Sequence, residues 1–157
     1  MKIILVIIVA CLLVLGVGAC GTSQLPASNN LDKVTITLER TACHGFCPVY
    51  TLTIQGDGTV VYEGEDFVKT RGRVEIIIPE EKIEQLLEEF EAIDYFALND
   101  NYKERTITDA PSVITSITID GKTKTIEHYR GDFNAPEELT RLEDKIDEII
   151  NTDQWIN

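Results

Sequence analysis

The chain has 157 residues, with 14 Lys and Arg against 27 Asp and Glu, a formal charge of −13 and four cysteines. So acidic a body is not drawn to nucleic-acid phosphates, and anionic membrane surfaces repel it, so nucleic acid is excluded as an expected partner. Its length supplies one domain with a sizeable hydrophobic core.

The N-terminus reads MKIILVIIVACLLVLGVGAC: one cation at Lys2, an apolar run from Ile3 to Leu15, then small residues before Cys20. That is the anatomy of a secretory signal. Val17-Gly18-Ala19-Cys20 resembles the lipobox of bacterial lipoproteins, which implies cleavage before Cys20 and lipid, palmitate included, on its thiol. An uncleaved anchor is the competing reading, since Ile3 to Ala19 is within the ~17–25 residues a spanning helix needs. No basic stop-transfer cluster follows, and a cysteine stands where a lipobox requires one, so lipidation is the expectation. Residues 1–19 are then the signal, and 20–33 the lipidated Cys20 with a polar, aperiodic tether. Residues 34–157 form the domain. Loss of Lys2 takes the charge from −13 to about −14. The implied address is the bacterial cell envelope: the outer membrane facing the periplasm, in a Gram-negative cell. The membrane is reached through Cys20.

Within the domain, Val34-Thr-Ile36-Thr-Leu38 and Tyr50-Thr-Leu52-Thr-Ile54 alternate strictly, the mark of half-buried strands. Gly56-Asp57-Gly58 turns the second into Thr59–Tyr62, and residues 73–78 (RVEIII) read as a fourth strand. Pro79-Glu80-Glu81 starts a helix that buries Ile83, Leu86, Leu87, Phe90 and Ile93 at 3.6-residue spacing. Residues 99–112 are a polar loop. Residues 113–119 and 122–129 make a second hairpin around Asp120-Gly121, a type I′ pair. A second helix from Pro136 buries Leu139, Leu142, Ile146, Ile149 and Ile150, and Trp155 and Ile156 fold its end back onto the sheet. The two halves hint at a duplication, each running hairpin, extended segment, Pro-Glu-Glu and amphipathic helix. The expected fold is α+β: a mostly antiparallel, hairpin-rich sheet of about six strands with two amphipathic helices packed on one face.

Between the first two strands lies TACHGFCPVY, residues 41–50. With Cys20 lipidated and Cys11 cleaved off, Cys43 and Cys47 are left as a pair in an oxidising compartment, where a disulfide is expected. A five-residue ring stabilises by about 2 kcal/mol in the chain-entropy picture. Gly45 suits a tight turn that demands positive φ. Two readings compete. Cys-x-x-x-Cys-Pro has the spacing of the copper-chaperone thioredoxin relatives, but the β-patterned Val49–Leu52 offers no helix N-terminus to activate a thiol. Cys43, Cys47 and His44, with His128 as a further donor, suit Cu or Zn, but a closed zinc site wants four ligands and the chain has two histidines.

Leu38-Glu39-Arg40-Thr41-x-Cys43-x-Gly45-x-Cys47-Pro48-x-Tyr50, followed by Gly56-Asp57-Gly58-Thr59-Val60-x-Tyr62-x-Gly64, resembles an uncharacterised family of bacterial envelope lipoprotein domains with a C-x-G-x-C-P-x-Y core. That resemblance implies the envelope address and this fold, and supplies no catalytic residues.

No Gly-x-Ser-x-Gly elbow, Walker loop, dinucleotide fingerprint or His-Glu-x-x-His occurs, so no enzyme, catalytic residue or cofactor is expected. Asp94, Asp100 and Asp109 could supply paired carboxylates for acid–base work, but in so acidic a chain their proximity needs no catalytic explanation. Arg40 is expected to pair with a neighbouring acid. The expected role is a non-catalytic, lipid-anchored domain that binds a protein or envelope component, with His44, Phe46 and Arg40 as candidate binding residues.

Overall fold

The computed structural model describes residues 31–157. The expected signal, Cys11, Cys20 and residues 20–30 of the tether lie outside the described residues. The chain enters through a 3₁₀ turn, Leu31–Lys33, with Leu31 already packed on the core. Then follow β1 (Val34–Arg40), β2 (Val49–Gln55), β3 (Thr59–Asp66), β4 (Gly72–Ile77), α1 (Glu80–Ala92), β5 (Asn101–Tyr102), β6 (Ser112–Ile119), β7 (Lys122–Tyr129), α2 (Glu137–Ile150) and α3 (Asp153–Ile156).

The seven strands form one sheet in the order β4-β3-β2-β1-β6-β7-β5, antiparallel except where β5 pairs with β7. The α+β class stands, with two corrections to the element count. A seventh strand arises inside the loop expected at 99–112, where two residues are too few to show an alternation. A third helix, α3, is a single turn made by the segment that carries Trp155. Gly64 lies within β3, which runs on to Asp66; the Tyr62 hydroxyl and the Thr70 carbonyl occupy the space a Cβ there would need. The expected duplication stops at the hairpins, because residues 130–135 form a turn rather than a strand.

The alternation assigns the faces. Val34, Ile36 and Leu38, with Tyr50, Leu52 and Ile54, and Val113, Thr115, Ile117 and Ile119 are buried beneath the helices. The opposite face carries Thr35, Thr37, Thr51, Thr53, Ser116 and Thr118; hydroxyl contacts such as Thr118–Thr123 at 2.8 Å lie on it. Asp120 (φ 49°) and Gly121 (φ 81°) adopt the left-handed pair that a type I′ turn requires.

Helix α1 buries Ile83, Leu86 and Phe90, with Leu87 and Ile93 half-buried against the same core. Helix α2 buries all five expected apolar residues and adds Glu143. Lys82, at the start of α1, donates to the Ile149 carbonyl at the end of α2, while Ile93 shares a groove with Glu138 and Leu142, so the helices run antiparallel. Helix α2 ends in a Schellman motif: Asn151 is left-handed, Asn151 N–H donates to Glu148 O, and Thr152 N–H donates to Asp147 O. Trp155 then packs on Tyr62, ring centroids 4.7 Å apart, and its carbonyl accepts from Thr70 N–H.

Candidate functional site

The register fixes two ends of the sheet. Arg40 lies beside Tyr50 and Val113, Tyr50 beside Gly64, and Gly64 beside Gly72, while Val113 lies beside His128 and His128 beside Tyr102. Four loops therefore leave from one end: 41–48, 67–71, 103–111 and 130–136. Val34, where the chain enters, is at the other end, about 20 Å away at ~3.3 Å per strand residue.

At the loop end, Cys43 and Cys47 are joined by a disulfide, with Cα atoms 5.7 Å apart. Strand resumes at Val49, so no helix starts at Cys47 and the feature that activates a thioredoxin-type thiol is missing. A thiolate metal site would need sulfurs that here are bonded to each other. His128 does not join His44: it is buried two strands from β1, with Nδ1 2.8 Å from Glu143 Oε1. Gly45 departs from expectation. Its φ is not in the left-handed region, and an added Cβ would meet only Cys43 Sγ at 3.7 Å, an ordinary contact. The ring is closed by the sulfurs rather than by a left-handed glycine.

Backbone bonds tie the ring down on the side of β6. Thr41 N–H donates to Ser112 O at 3.0 Å, Ser112 N–H returns a bond to Thr41 Oγ1 at 2.8 Å, and His44 N–H donates to Asp109 O at 3.2 Å. On this base Phe46 is 87% exposed, and His44 is exposed beside it. The Phe46 ring meets Phe67 edge-on, centroids 5.3 Å apart. Phe67 has φ 51°, an outlier for a bulky residue without a favourable local bond of the Asn kind. Ile107 and Phe133 are also exposed at this end, so among the described residues four of the five large exposed apolar side chains share it.

Beneath the ring, the last turns of α2 carry acids onto the core face. Arg40 Nε donates to Asp147 Oδ2 at 2.8 Å, and Arg40 Nη2 reaches the Glu143 carbonyl and Asp144 Oδ1, each at 3.1 Å. The expected pairing of Arg40 with an acid is thus observed, and its guanidinium turns inward to α2 instead of outward with the loop. Burial opposes its charge, but Asp147 above all, with Asp144, outweighs burial and raises its pKa further above the ordinary arginine value. Tyr50 OH donates to Asp147 Oδ1 at 2.7 Å; burial first, then the Asp147 charge, pushes that phenol well above the ordinary tyrosine value. Thr152 Oγ1 donates to the same oxygen at 2.9 Å. Arg130 Nη2 meets Asp144 at 2.5 Å, and its Nε lies 3.1 Å from Glu143 Oε2 as an ion pair without an aligned hydrogen bond.

Sequence reasoning did not find Glu143 or Asp147, though a signal existed for the first. Glu143 is four residues after Leu139 and three before Ile146, on the apolar stripe, and its side chain is fully buried. Phe67, Ile107 and Phe133 sit in loops without periodicity and carried no signal. Asp100 pairs with Lys124, Asp94 precedes the 3₁₀ turn after α1, and Asp109 lies at the loop end beside His44, the last two with left-handed backbone. The site therefore consists of a fixed aromatic display above an ionic frame.

Residues 34–150 match the family described as Domain of unknown function (DUF6438), and the chain belongs to that family. Comparison with curated proteins finds no match.

Proposed function

We propose that this protein is a non-catalytic binding domain, held to the cell envelope through lipid on Cys20, that presents its loop end to a protein partner. The observation that carries the reading is Phe46, 87% exposed on a disulfide-closed ring whose base is tied to β6. Holding an aromatic ring in water forgoes its burial energy, about 1.5–3 kcal/mol for a residue of this size. Closing the ring covalently also removes the ordering cost that a mobile loop would meet on binding. The strained Phe67 braces the display. Anchoring is supported by the Val17–Cys20 lipobox, and Val34, where the domain begins, lies at the sheet end opposite the aromatic loops, which would leave those loops free for a partner.

The test is site-specific photocrosslinking in intact cells. A photoreactive residue at Phe46 or Phe133 should give one discrete protein adduct, while the same residue at Thr53 on the open sheet face should give none. Replacing Phe46 by Ala should abolish the adduct formed from position 133. Equal labelling from all three positions, or adducts with phospholipid alone, would sink the reading.

A further inference from the structure

The two edges of the sheet are finished differently. Beyond β7, the 98–103 segment closes the edge: β5 pairs with Glu127 and His128, Glu127 N–H donates to Asp100 O, and Lys124 Nζ reaches the Leu98 carbonyl at 2.6 Å. At the other edge, β4, no strand among the described residues pairs with the outer side. Edges that must stay monomeric carry like charges, an internal proline or a bulge. Residues 72–77 (GRVEII) hold no proline, and their register with β3 is regular throughout. Their charges are Arg73 and Glu75, of opposite sign.

The ladder sets which groups point outward. Ile78 N–H donates to Gly58 O, and bonded pairs alternate along an antiparallel ladder, so Ile76, Val74 and Gly72 bond toward β3. The N–H and C=O groups of Arg73, Glu75 and Ile77 face away from the sheet. The same three side chains lie on the open face, and Ile77 is 71% exposed there. Val74 and Ile76 point to the helix side and are only half-buried, because the core thins at this edge.

We propose that β4 is a self-pairing edge through which two copies of this chain join antiparallel about a two-fold axis at Val74. With Val74 opposite Val74 of the second copy, Arg73 faces Glu75 of that copy, and Glu75 faces its Arg73. Both are outward-bonding positions, so four main-chain hydrogen bonds and two reciprocal ion pairs form together. Gly72 leaves room opposite Ile76 of the other copy. The pattern admits no neighbouring register. Centring the axis on Arg73 opposes two arginines, centring it on Glu75 opposes two glutamates, and a one-residue slip sets the open face of one copy against the core face of the other. Arg73 already bonds Glu75 of its own strand at 2.7 Å with both side chains more than half exposed, so exchanging partners across the axis requires only rotation of surface side chains. Joined in this way, the two halves make one fourteen-stranded sheet, and each copy keeps its loop end free.

Three variants of the full chain, each with one cysteine added at position 73, 74 or 75 and oxidised mildly in expressing cells, read the register directly. Across a non-bonded antiparallel pair, Cα atoms lie ~4.5 Å apart, within disulfide reach. Val74→Cys should give a disulfide-linked dimer at least tenfold above the wild-type background and above Arg73→Cys and Glu75→Cys. In the Val74→Cys background, Arg73→Glu or Glu75→Arg should each cut the dimer about tenfold, and the two together should restore it. Absence of a dimer from Val74→Cys, preferential linkage at 73 or 75, or failure of the double swap to restore linkage would each overturn the proposal.

Discussion

Asp147→Asn tests whether the ionic frame holds the loop end. The carboxylate accepts from Arg40 Nε at 2.8 Å, Tyr50 OH at 2.7 Å and Thr152 Oγ1 at 2.9 Å. Asparagine keeps one oxygen for Tyr50 and Thr152, but places an NH₂ donor against the guanidinium. A hydrogen bond to a charged group contributes ~1.5–3 kcal/mol, and breaking a buried pair costs 3–5. Both side chains are 18% exposed, and Arg40 retains Asp144, so solvent and the second acid soften the loss to about 3 kcal/mol. At roughly 4 °C per kcal/mol for a domain of this size, the midpoint should fall by about 12 °C. Urea unfolding should show a lower midpoint with an unchanged slope. A cycle with Arg40→Met should return a coupling of at least about 1.5 kcal/mol, because the partner is lost only once. A fall of less than 3 °C, or strictly additive single effects, would refute the frame as the support of this end.

The other expectations follow from the same geometry. The Tyr50 phenol stays protonated in the fold where the unfolded chain has lost its proton, so its stabilisation is complete below about pH 10 and declines above it. Tyr50→Phe should cost about 1.5 kcal/mol at pH 7 and nothing near pH 11, where one unit of pH offsets ~1.4 kcal/mol; a gap that stays constant with pH would contradict this. Replacing Cys43 and Cys47 together by serine should lower stability by about 2 kcal/mol while circular dichroism keeps the α+β signature; loss of the whole fold would show that the ring organises more than its loop. Gly45→Ala should leave the thermal midpoint within about 2 °C of the parent, since neither φ nor space demands glycine. Phe67→Asn should hold or raise the midpoint by relieving the left-handed strain, while reducing crosslinking from Phe46; a lower midpoint with crosslinking intact would remove Phe67 from the display.

The fold was legible wherever one periodicity governed a whole element. The strict alternation of β1 and β2 and the apolar stripe of α2 reappear residue for residue, and the stripe of α1 reappears with Leu87 and Ile93 half-buried, because each element had one face to bury. Legibility failed where the partner was remote. Asn101–Tyr102 pairs only because β7 lies beside it, and nothing local in two residues announces a strand. Asp147 looks like a surface acid on a charged helix, and it is drawn inward because α2 passes over Arg40, while Glu143, placed on the apolar stripe, finds its partners His128 and Arg130 only in the fold. At the candidate site, the Cys43–Cys47 pairing was legible from the cysteine count and Phe46 and His44 from their place in the loop between two strands, but the inward turn of Arg40 depends on a helix about a hundred residues away in sequence.

That inward turn changes how the cysteine segment works. Among 27 acids, Arg40 is placed where β1 ends and the ring begins, and its guanidinium joins the sheet to Asp144, Asp147 and the Glu143 carbonyl together. Arg130 repeats the arrangement where β7 ends and the loop carrying Phe133 begins, meeting the same Asp144. The loops that carry Phe46 and Phe133 therefore each spring from a strand end pinned to α2 by an arginine, and Asp144 connects the two pins. Moving one display would disturb the other through a shared carboxylate. The physical unit at this end is thus the pair of pinned loops, and the cysteine ring is its more rigid half.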